Sequence, residues 1–297
     1  MTKKHNDING WLILDKPKGI SSAHAVAIVK RNLKPKKIGH AGTLDPLANG
    51  VLPLALGEAT KTINFMMDSD KEYKFTVKWG SATTTYDCEG EVTDSSDKIP
   101  TKAEILAALP EFVGDIEQMP PVYSALKING KRACDLAREG KEVVLKSRLI
   151  KVHKFELLAC DDQSAEFLVA CGKGTYVRSL AHDLAIKLGS FGHVTELTRT
   201  KVGKFCKDSA ILLETLEKTV YIPESSGLIL PVGEVLDDIP VLSFTIEDAR
   251  LLRQGRQVAT SEKILNDSIV VVKCEGVLVA LANVFDGYVK PVRVFNL

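Results

Sequence analysis

The 297-residue sequence has no C-x-x-C pair among its six cysteines, which stand at 88, 134, 160, 171, 206 and 274, and no metal-like spacing against its six histidines. That excludes a recognisable zinc site and points to scattered, reduced thiols that mostly pack, as in a cytoplasmic protein. The opening MTKKHNDING has no apolar signal region. No apolar run approaches the roughly 18 residues of a membrane span, so no membrane is expected. The motifs G-x-x-x-x-G-K-[ST], G-x-G-x-x-G, H-E-x-x-H and G-x-S-x-G are all missing, and GKGT at 172–175 lacks the leading glycine of a phosphate loop. ATP and dinucleotide chemistry are therefore not expected. Internal repeats and low-complexity tracts are absent too.

What is present is an ordinary globular composition, 45% hydrophobic and 26% charged, long enough for one large domain and a small one. A formal charge of +1 hides a polarised distribution. Residues 1–50 carry nine Lys/Arg against three acids, and residues 121–156 carry nine against four. Residues 84–119 carry nine acids against two lysines. Basic segments of this kind suit a polyanionic partner, although solvated loops produce the same pattern.

The apolar run in GWLILDKPKG (10–19) predicts a buried strand stopped by a turn. Ser21 or Ser22 caps a following helix whose Val26, Val29 and Leu33 share a face. KEYKFTVKWG (71–80) alternates strictly, with Tyr73, Phe75, Val77 and Trp79 on one side, as in a half-buried strand of an antiparallel or mixed sheet. Thr101 and Glu104 form a capping box for a helix that stops at Pro110. AEFLVAC (165–171) is a strand, and after 172–174 a helix carries Val177 to Leu188 at helical period until Gly189. A strand at 193–197 and a helix at 209–217 follow. The Pro-, Gly- and acid-rich stretch 221–240 has the composition of a linker. Beyond it come a short helix at 246–254 and several strands, a small and mostly β module.

The chemistry-bearing residues are few. GHAGTLDPLANGVL (39–52) sets a single acid, Asp45, among glycines 39, 42 and 50 and before Pro46. Proline biases Asp45 to extended backbone and so aims its side chain, while the glycines let a ligand approach the backbone. Asp-Pro is equally the start of a turn. Tyr73 by periodicity is a core-facing strand aromatic, Arg178 a solvated residue at the head of a helix, and His40 a loop histidine.

Five blocks change the weighing. GWLILDKPKGISS, KIGHAGTLDPLANGVLPLALGEATK, KEYKFTVKWGSATTTYDCEG, MPPVYSALKINGKRACDLAREG and CGKGTYVRSLAHDLAIKLGSFGHVTELTRTKVG occur in the order and spacing of the bacterial TruB family, the tRNA pseudouridine-55 synthases. The sequence resembles that family across residues 9–205. The C-terminal part is similar in position and size only, where the family often carries a small RNA-binding PUA-type domain. The resemblance implies an α+β fold: a catalytic domain over 1–238, its central mixed, largely antiparallel sheet flanked by helices, and a PUA-like module over 239–297.

It further implies an enzyme that breaks the N1–C1′ bond of a uridine in the tRNA T-loop, rotates the uracil and rejoins it through C5, without metal or organic cofactor. Asp45 matches the catalytic aspartate, suited to positive character at C1′. Arg178 matches the arginine that pairs with it, a cation able to hold a carboxylate bidentately inside a pocket. Tyr73 matches the tyrosine that stacks on the flipped base, a contact of about 1–3 kcal/mol, and its hydroxyl is a candidate acceptor of the C5 proton. Leu197 matches a leucine behind the uracil, Tyr176 a tyrosine near the ion pair, Lys16 a lysine beside the pocket, and His40 a histidine filling the space of the flipped nucleotide. The basic segment 121–151, with Lys127, Lys131 and Arg132, matches a mobile element that clamps the T-arm through phosphate contacts. Asp87 is expected to join the arginine network, whereas Tyr86 and Cys88 have no explanation in the sequence. The expected partner is tRNA, without guide RNA, and the expected state a monomer. Competing readings are an RNA-folding chaperone that does not need the chemistry, a relative working in a guide-RNA particle, and a pseudouridine synthase with another RNA target.

Overall fold

In the computed structural model, residues 5–218, 227–262 and 264–297 are described. The chain opens with β1 (Gly10–Lys16), α1 (Ser22–Leu33), β2 (Ile38–His40), β3 (Asn49–Leu56), α2 (Ile63–Asp68) and β4 (Lys71–Trp79). A small acidic hairpin, β5 (Ser81–Thr83) and β6 (Val92–Ser95), precedes α3 (Lys102–Ala108) and β7 (Gly114–Gln118). The basic segment holds a two-residue hairpin, β8 (Lys127–Ile128) and β9 (Lys131–Arg132), and α4 (Ala133–Arg138). Then come β10 (Arg148–Cys160), β11 (Ser164–Cys171), α5 (Val177–Lys187), β12 (Gly192–Val202), β13 (Phe205–Cys206), β14 (Ile211–Leu212), α6 (Leu213–Lys218) and β15 (Ile229–Leu230). The last stretch is β16 (Val241–Ser243), α7 (Ile246–Arg253), β17 (Val258–Ala259), β18 (Ile269–Cys274), β19 (Val277–Phe285) and β20 (Tyr288–Val294).

The main sheet runs β14-β1-β3-β12-β4-β11-β10-β7, with β2, β13 and β15 attached at β3, β12 and β1. Only β1–β14 and β3–β12 are parallel pairs within it, so the sheet is mixed and largely antiparallel as expected. Its two halves are buried differently, and the sequence pattern follows. In β1, Leu12 and Leu14 face the helix-covered core while Trp11 and Ile13 enter a second cluster on the opposite face. Burial on both faces is what makes β1 a continuous apolar run. In β4, Phe75, Val77 and Trp79 join the first core, while Lys74 and Lys78 on the other face are exposed. Strict alternation is the result. Each fully buried Leu or Trp of these strands contributes about 1.5–3 kcal/mol.

The second cluster joins the main sheet to the five-stranded C-terminal sheet, β16-β18-β19-β20-β17. Val271, Leu278, Leu281 and Phe295 pack with Trp11, Ile13 and Met66. Glu58 Oε2 takes hydrogen bonds from Lys61 Nζ at 2.6 Å and from the Asn296 N–H at 2.8 Å, which fastens the chain's last residues beneath the sheet. Val270, Val272, Val279 and α7 form a third cluster inside the module.

Several expected boundaries move. Ser21 caps α1, accepting from the His24 N–H at 3.1 Å, and the Thr101–Glu104 capping box is formed. The helix it starts does not stop dead at Pro110: Leu109–Phe112 continue as a 3-10 turn, since proline at its first positions has no N–H to lose. The helix expected over 209–217 begins only at Leu213, because Ile211–Leu212 pair with β1. Of the stretch expected as a linker, 221–226 lie outside the described residues, while 227–240 is packed rather than loose. Ile229 and Leu230 pair with β1, and Val232 and Leu236 are buried in the second cluster. The cysteines are free thiols. No helix among the described residues is long and apolar enough to cross a membrane.

Candidate active site

The strands β3 and β12 are parallel and pair only at Asn49–Thr198 and Gly50–Arg199. The loop leading into β3 comes directly before that short contact. Asp45 sits on this loop. Its carbonyl accepts the Ala48 N–H at 3.1 Å, so Asp45-Pro46 does start a turn, and the same turn presents the carboxylate. The residue beside it is pinned from both directions: the buried Ser22 hydroxyl donates to Leu44 O at 2.9 Å and accepts from the Leu44 N–H at 2.8 Å. The Asp45 side chain is 35% exposed, open to a ligand from one side.

Arg178 meets it from the first turn of α5, with a side chain only 4% exposed. The sequence pattern alone placed this residue in solvent. Tertiary contacts bury it, because the guanidinium has four acceptors around it. Nη2 lies 2.9 Å from Asp45 Oδ2 and donates to Tyr123 O at 3.0 Å. Nη1 lies 3.3 Å from Asp87 Oδ2 and donates to Thr85 O at 2.8 Å. The expected bidentate pair is thus a shared one: one cation bridges two carboxylates, with a single nitrogen for each. Asp87 joins the network as expected, is 3% exposed, and has its other oxygen held by Thr85 Oγ1 at 2.5 Å and the Glu89 N–H at 3.0 Å. A planar, permanently charged fork suits this bridging role; a lysine's point charge does not. The start of α5 is itself fixed by Gln118, which donates to Tyr176 O at 3.0 Å and accepts from the Tyr176 N–H at 2.8 Å.

Asp45 and Arg178 line a cavity of about 370 Å³ together with Tyr73, Tyr176 and Leu197, a size in the range of small-ligand sites. The structure therefore brings together five of the residues singled out in the sequence. Leu197 and the aromatic rings make flat apolar walls, and the carboxylate supplies one anion held by a buried cation. Burial pushes the Tyr73 phenol above its ordinary value, only partly opposed by Arg199. At neutral pH it is a protonated hydroxyl, better suited to stacking and donating than to accepting a proton.

Sequence reasoning missed Arg199. It is 1% exposed and donates Nε to Val51 O at 2.7 Å, Nη2 to Gly42 O at 3.1 Å and Nη1 to Thr43 O at 3.4 Å. It ties β12 to both ends of the Asp45 loop. It also explains the glycines, which were expected to admit a ligand. Gly50 has φ +104°, and a Cβ there would stand 2.2 Å from Arg199 O. Gly42 has φ +102°, and a Cβ there would stand 3.4 Å from Arg199 Nη1. At Gly50 the close Arg199 backbone requires glycine, and at Gly42 the left-handed backbone does. The signal was available: Leu197 and Arg199 are two apart on one strand and so share its inward face. Arg148 also lines the cavity, with its guanidinium 4.8 Å over the Tyr176 ring and a hydrogen bond to Gly174 O. Lys71 lines it too and caps α2 through Met67 O and Ser69 O. Burial lowers the Lys71 ammonium to about 8.

The other expected site residues do not line this cavity. Lys16 is fully buried outside the cavity wall, donating to Pro17 O at 2.9 Å and Ile20 O at 2.7 Å, and burial lowers it to about 8. It closes the turn after β1. His40 pairs with Leu54 at the sheet edge, its Nδ1 buried without a partner and its pKa lowered by burial and by Arg199. Lys127, Lys131 and Arg132 are exposed on the β8–β9 hairpin, next to Ala125 and Leu126 of the cavity wall. Arg132 is engaged by Asp135 at 2.7 Å. Among the described residues, no group of three or more His, Cys, Asp or Glu is arranged to hold a metal ion.

Comparison with known proteins adds a family to this geometry. Residues 30–177 match the N-terminal domain of the TruB family pseudouridylate synthases, and residues 178–237 match the tRNA pseudouridylate synthase B C-terminal domain. One sheet spans both segments. The chain is 52% identical over 305 residues to tRNA pseudouridine synthase B of Caulobacter sp. (strain K31), covering 99% of this chain and 98% of that protein. It is 47% identical to the protein of that name from Ehrlichia canis (strain Jake), covering 97% and 98%. Among solved structures, a chain of an H/ACA RNP bound to a substrate RNA containing 2′-deoxyuridine aligns with TM-score 0.73 and 25% identity, over 97% of this chain and 85% of that one. A chain of a Cbf5-Nop10-Gar1 complex aligns with TM-score 0.73 and 27% identity, over 97% and 84%.

Proposed function

The chain belongs to the TruB family of pseudouridylate synthases, and on that premise we propose that it isomerises uridine to pseudouridine at position 55 in the T-loop of tRNA. The observation that carries the proposal is the Asp45–Arg178 pair set in the wall of a cavity whose other walls are Tyr73, Tyr176 and Leu197. A uracil is flat, apolar on its faces and polar at its edge, which fits that combination. The target nucleotide is flipped out of the loop at a cost of a few kcal/mol in stacking, and Tyr73 stacks on it in compensation.

In this reading the N1–C1′ bond breaks with its electron pair going to the uracil, and the Asp45 carboxylate meets the electron-poor centre that results. Arg178 holds that carboxylate in place in the cavity wall. The uracil then rotates, C5 bonds to C1′, the C5 proton leaves to solvent and N1 takes up a proton, so that the product is an isomer of the substrate. The raised Tyr73 phenol argues that the ring's first task is to hold the base. The basic segment, linked to the site through Tyr123 O on Arg178, contacts T-arm phosphates with Lys127, Lys131 and Arg132. The functional unit is a cytoplasmic monomer, and its C-terminal module, residues 239–297, is a PUA-like RNA-binding domain.

The test is a bare T-arm stem-loop incubated with the purified protein and mapped for pseudouridine. Conversion at the T-loop uridine, with no other RNA added, supports the proposal and separates the chain from guide-RNA particles. Conversion only of other RNAs, or none, overturns it.

A further inference from the structure

Tyr86 stands between two residues that contact Arg178, and its backbone is strained. Its φ is +60°, in the left-handed region that a bulky side chain rarely adopts. Its ring lies on the imidazole of His182, with centroids 4.0 Å apart and planes inclined by 11°. His182 is four residues after Arg178 on α5, so the two side chains share one helix face. The loop matches that face at two points. Thr85 O and Asp87 Oδ2 meet Arg178 Nη1 at 2.8 and 3.3 Å, and Tyr86, between them in sequence, covers His182 one turn further along.

We propose that the Tyr86–His182 stack is a positioning clamp for the reaction, holding the 84–90 loop on α5 so that Thr85 and Asp87 keep the Arg178 guanidinium turned toward Asp45. The proposal rests on the roles given above to Asp45 and Arg178. The chemistry of His182 agrees with it. Burial lowers its pKa, so the ring is neutral at pH 7, and its buried Nδ1 has no hydrogen-bond partner. This imidazole presents its face to Tyr86, and its Nδ1 takes no part in holding it. Strained backbone next to a functional group persists only where surrounding contacts over-determine it, and the stack is such a contact. The loop also has backbone anchors, Val194 N–H to Tyr86 O and Cys88 N–H to Val194 O, both at 3.0 Å. Those anchors alone would hold the loop if the ring had only a space-filling role.

The experiment compares Tyr86→Gly, His182→Ala, Tyr86→Phe and His182→Phe by single-substrate kinetics on tRNA, with thermal melts alongside. Tyr86→Gly relieves the strained backbone and keeps the anchors, so a space-filling role predicts unchanged kcat. The clamp predicts a fall in kcat of roughly three- to tenfold, equivalent to about 0.6–1.4 kcal/mol of barrier, with KM within about twofold. It also predicts that Tyr86→Gly and His182→Ala together cost little more than either alone, and that both Phe variants stay near the parent. If Tyr86→Gly does not fold, His182→Ala carries the same comparison. Unchanged kcat in the Gly and Ala variants, a loss confined to KM, or failure of Phe to rescue would overturn the clamp. Arg178→Ala runs beside them: if it too keeps full kcat, the roles of the ion pair are wrong, whereas if it alone loses turnover only the clamp fails.

Discussion

Replacing Arg178 by alanine separates what the residue does for the fold from what it does for the reaction. The substitution leaves Asp87, 3% exposed, without its cation. A buried carboxylate deprived of its partner costs about 3–5 kcal/mol. At about 2–4 °C per kcal/mol for a chain of this size, the melting temperature should fall by roughly 6–20 °C. Adding Asp87→Asn removes the stranded charge while its side-chain oxygen still accepts from Thr85 Oγ1 and the Glu89 N–H. The double variant should therefore recover most of the lost stability. Turnover should not recover. Losing the group that holds Asp45 in place is expected to lower kcat by about a hundredfold or more, about 2.7 kcal/mol of barrier, in both variants. The assay is release of tritium from C5-labelled uridine in tRNA, which reports the leaving C5 proton, run beside thermal melts and tRNA binding. If kcat returns with stability in the double variant, Arg178 serves the fold alone and the reasoning fails.

Two further outcomes follow from the electrostatics. Burial raises the Asp183 carboxyl from 3.8 to about 6, so the native state binds this proton more tightly than the unfolded chain, and the ionised form costs stability above pH 6. The shift corresponds to at most about 3 kcal/mol, and to about 1–2 kcal/mol once its partial solvation is counted. Asp183→Asn should stabilise the protein by that amount at pH 7, with the gain fading as pH falls through 6 and absent near pH 4; equal gains at both pH values in urea unfolding would refute it. Lys131→Glu should weaken tRNA binding and flatten the plot of log affinity against log salt by about one phosphate contact. Arg132→Glu should do less, because Arg132 already pairs with Asp135; an unchanged slope for Lys131→Glu would place the RNA elsewhere.

How much of this was legible in the sequence depends on how local the cause is. The capping box at Thr101 and the alternation of β4 are set by neighbours in the chain and were read correctly. The two-faced burial of β1 was legible as an apolar run, although what covers each face was not. Residues 227–240 looked like a linker because their short apolar runs are interrupted by prolines, glycines and acids. Their burial comes from elements more than 150 residues earlier in the chain, β1 and the 3-10 turn at Gly57–Thr62. At the site, the resemblance named Asp45, Tyr73, Tyr176, Arg178 and Leu197, and these share one cavity. Asp87 was expected in the arginine network; that Arg178 gives each carboxylate a single nitrogen, and that Arg199 ties the Asp45 loop to β12, was not. Both follow from contacts between strands and loops more than 90 residues apart. Tyr86 had no reading at all until His182 lay beneath it.

The central claim is that Asp45 carries the chemistry while the surrounding surface carries the RNA. Single-turnover conversion of a tRNA transcript by Asp45→Asn, with the dissociation constant measured on the same preparation, tests it most directly. The account predicts no detectable pseudouridine and tRNA affinity within a few-fold of the parent. Pseudouridine formed at a rate comparable to the parent's would contradict it.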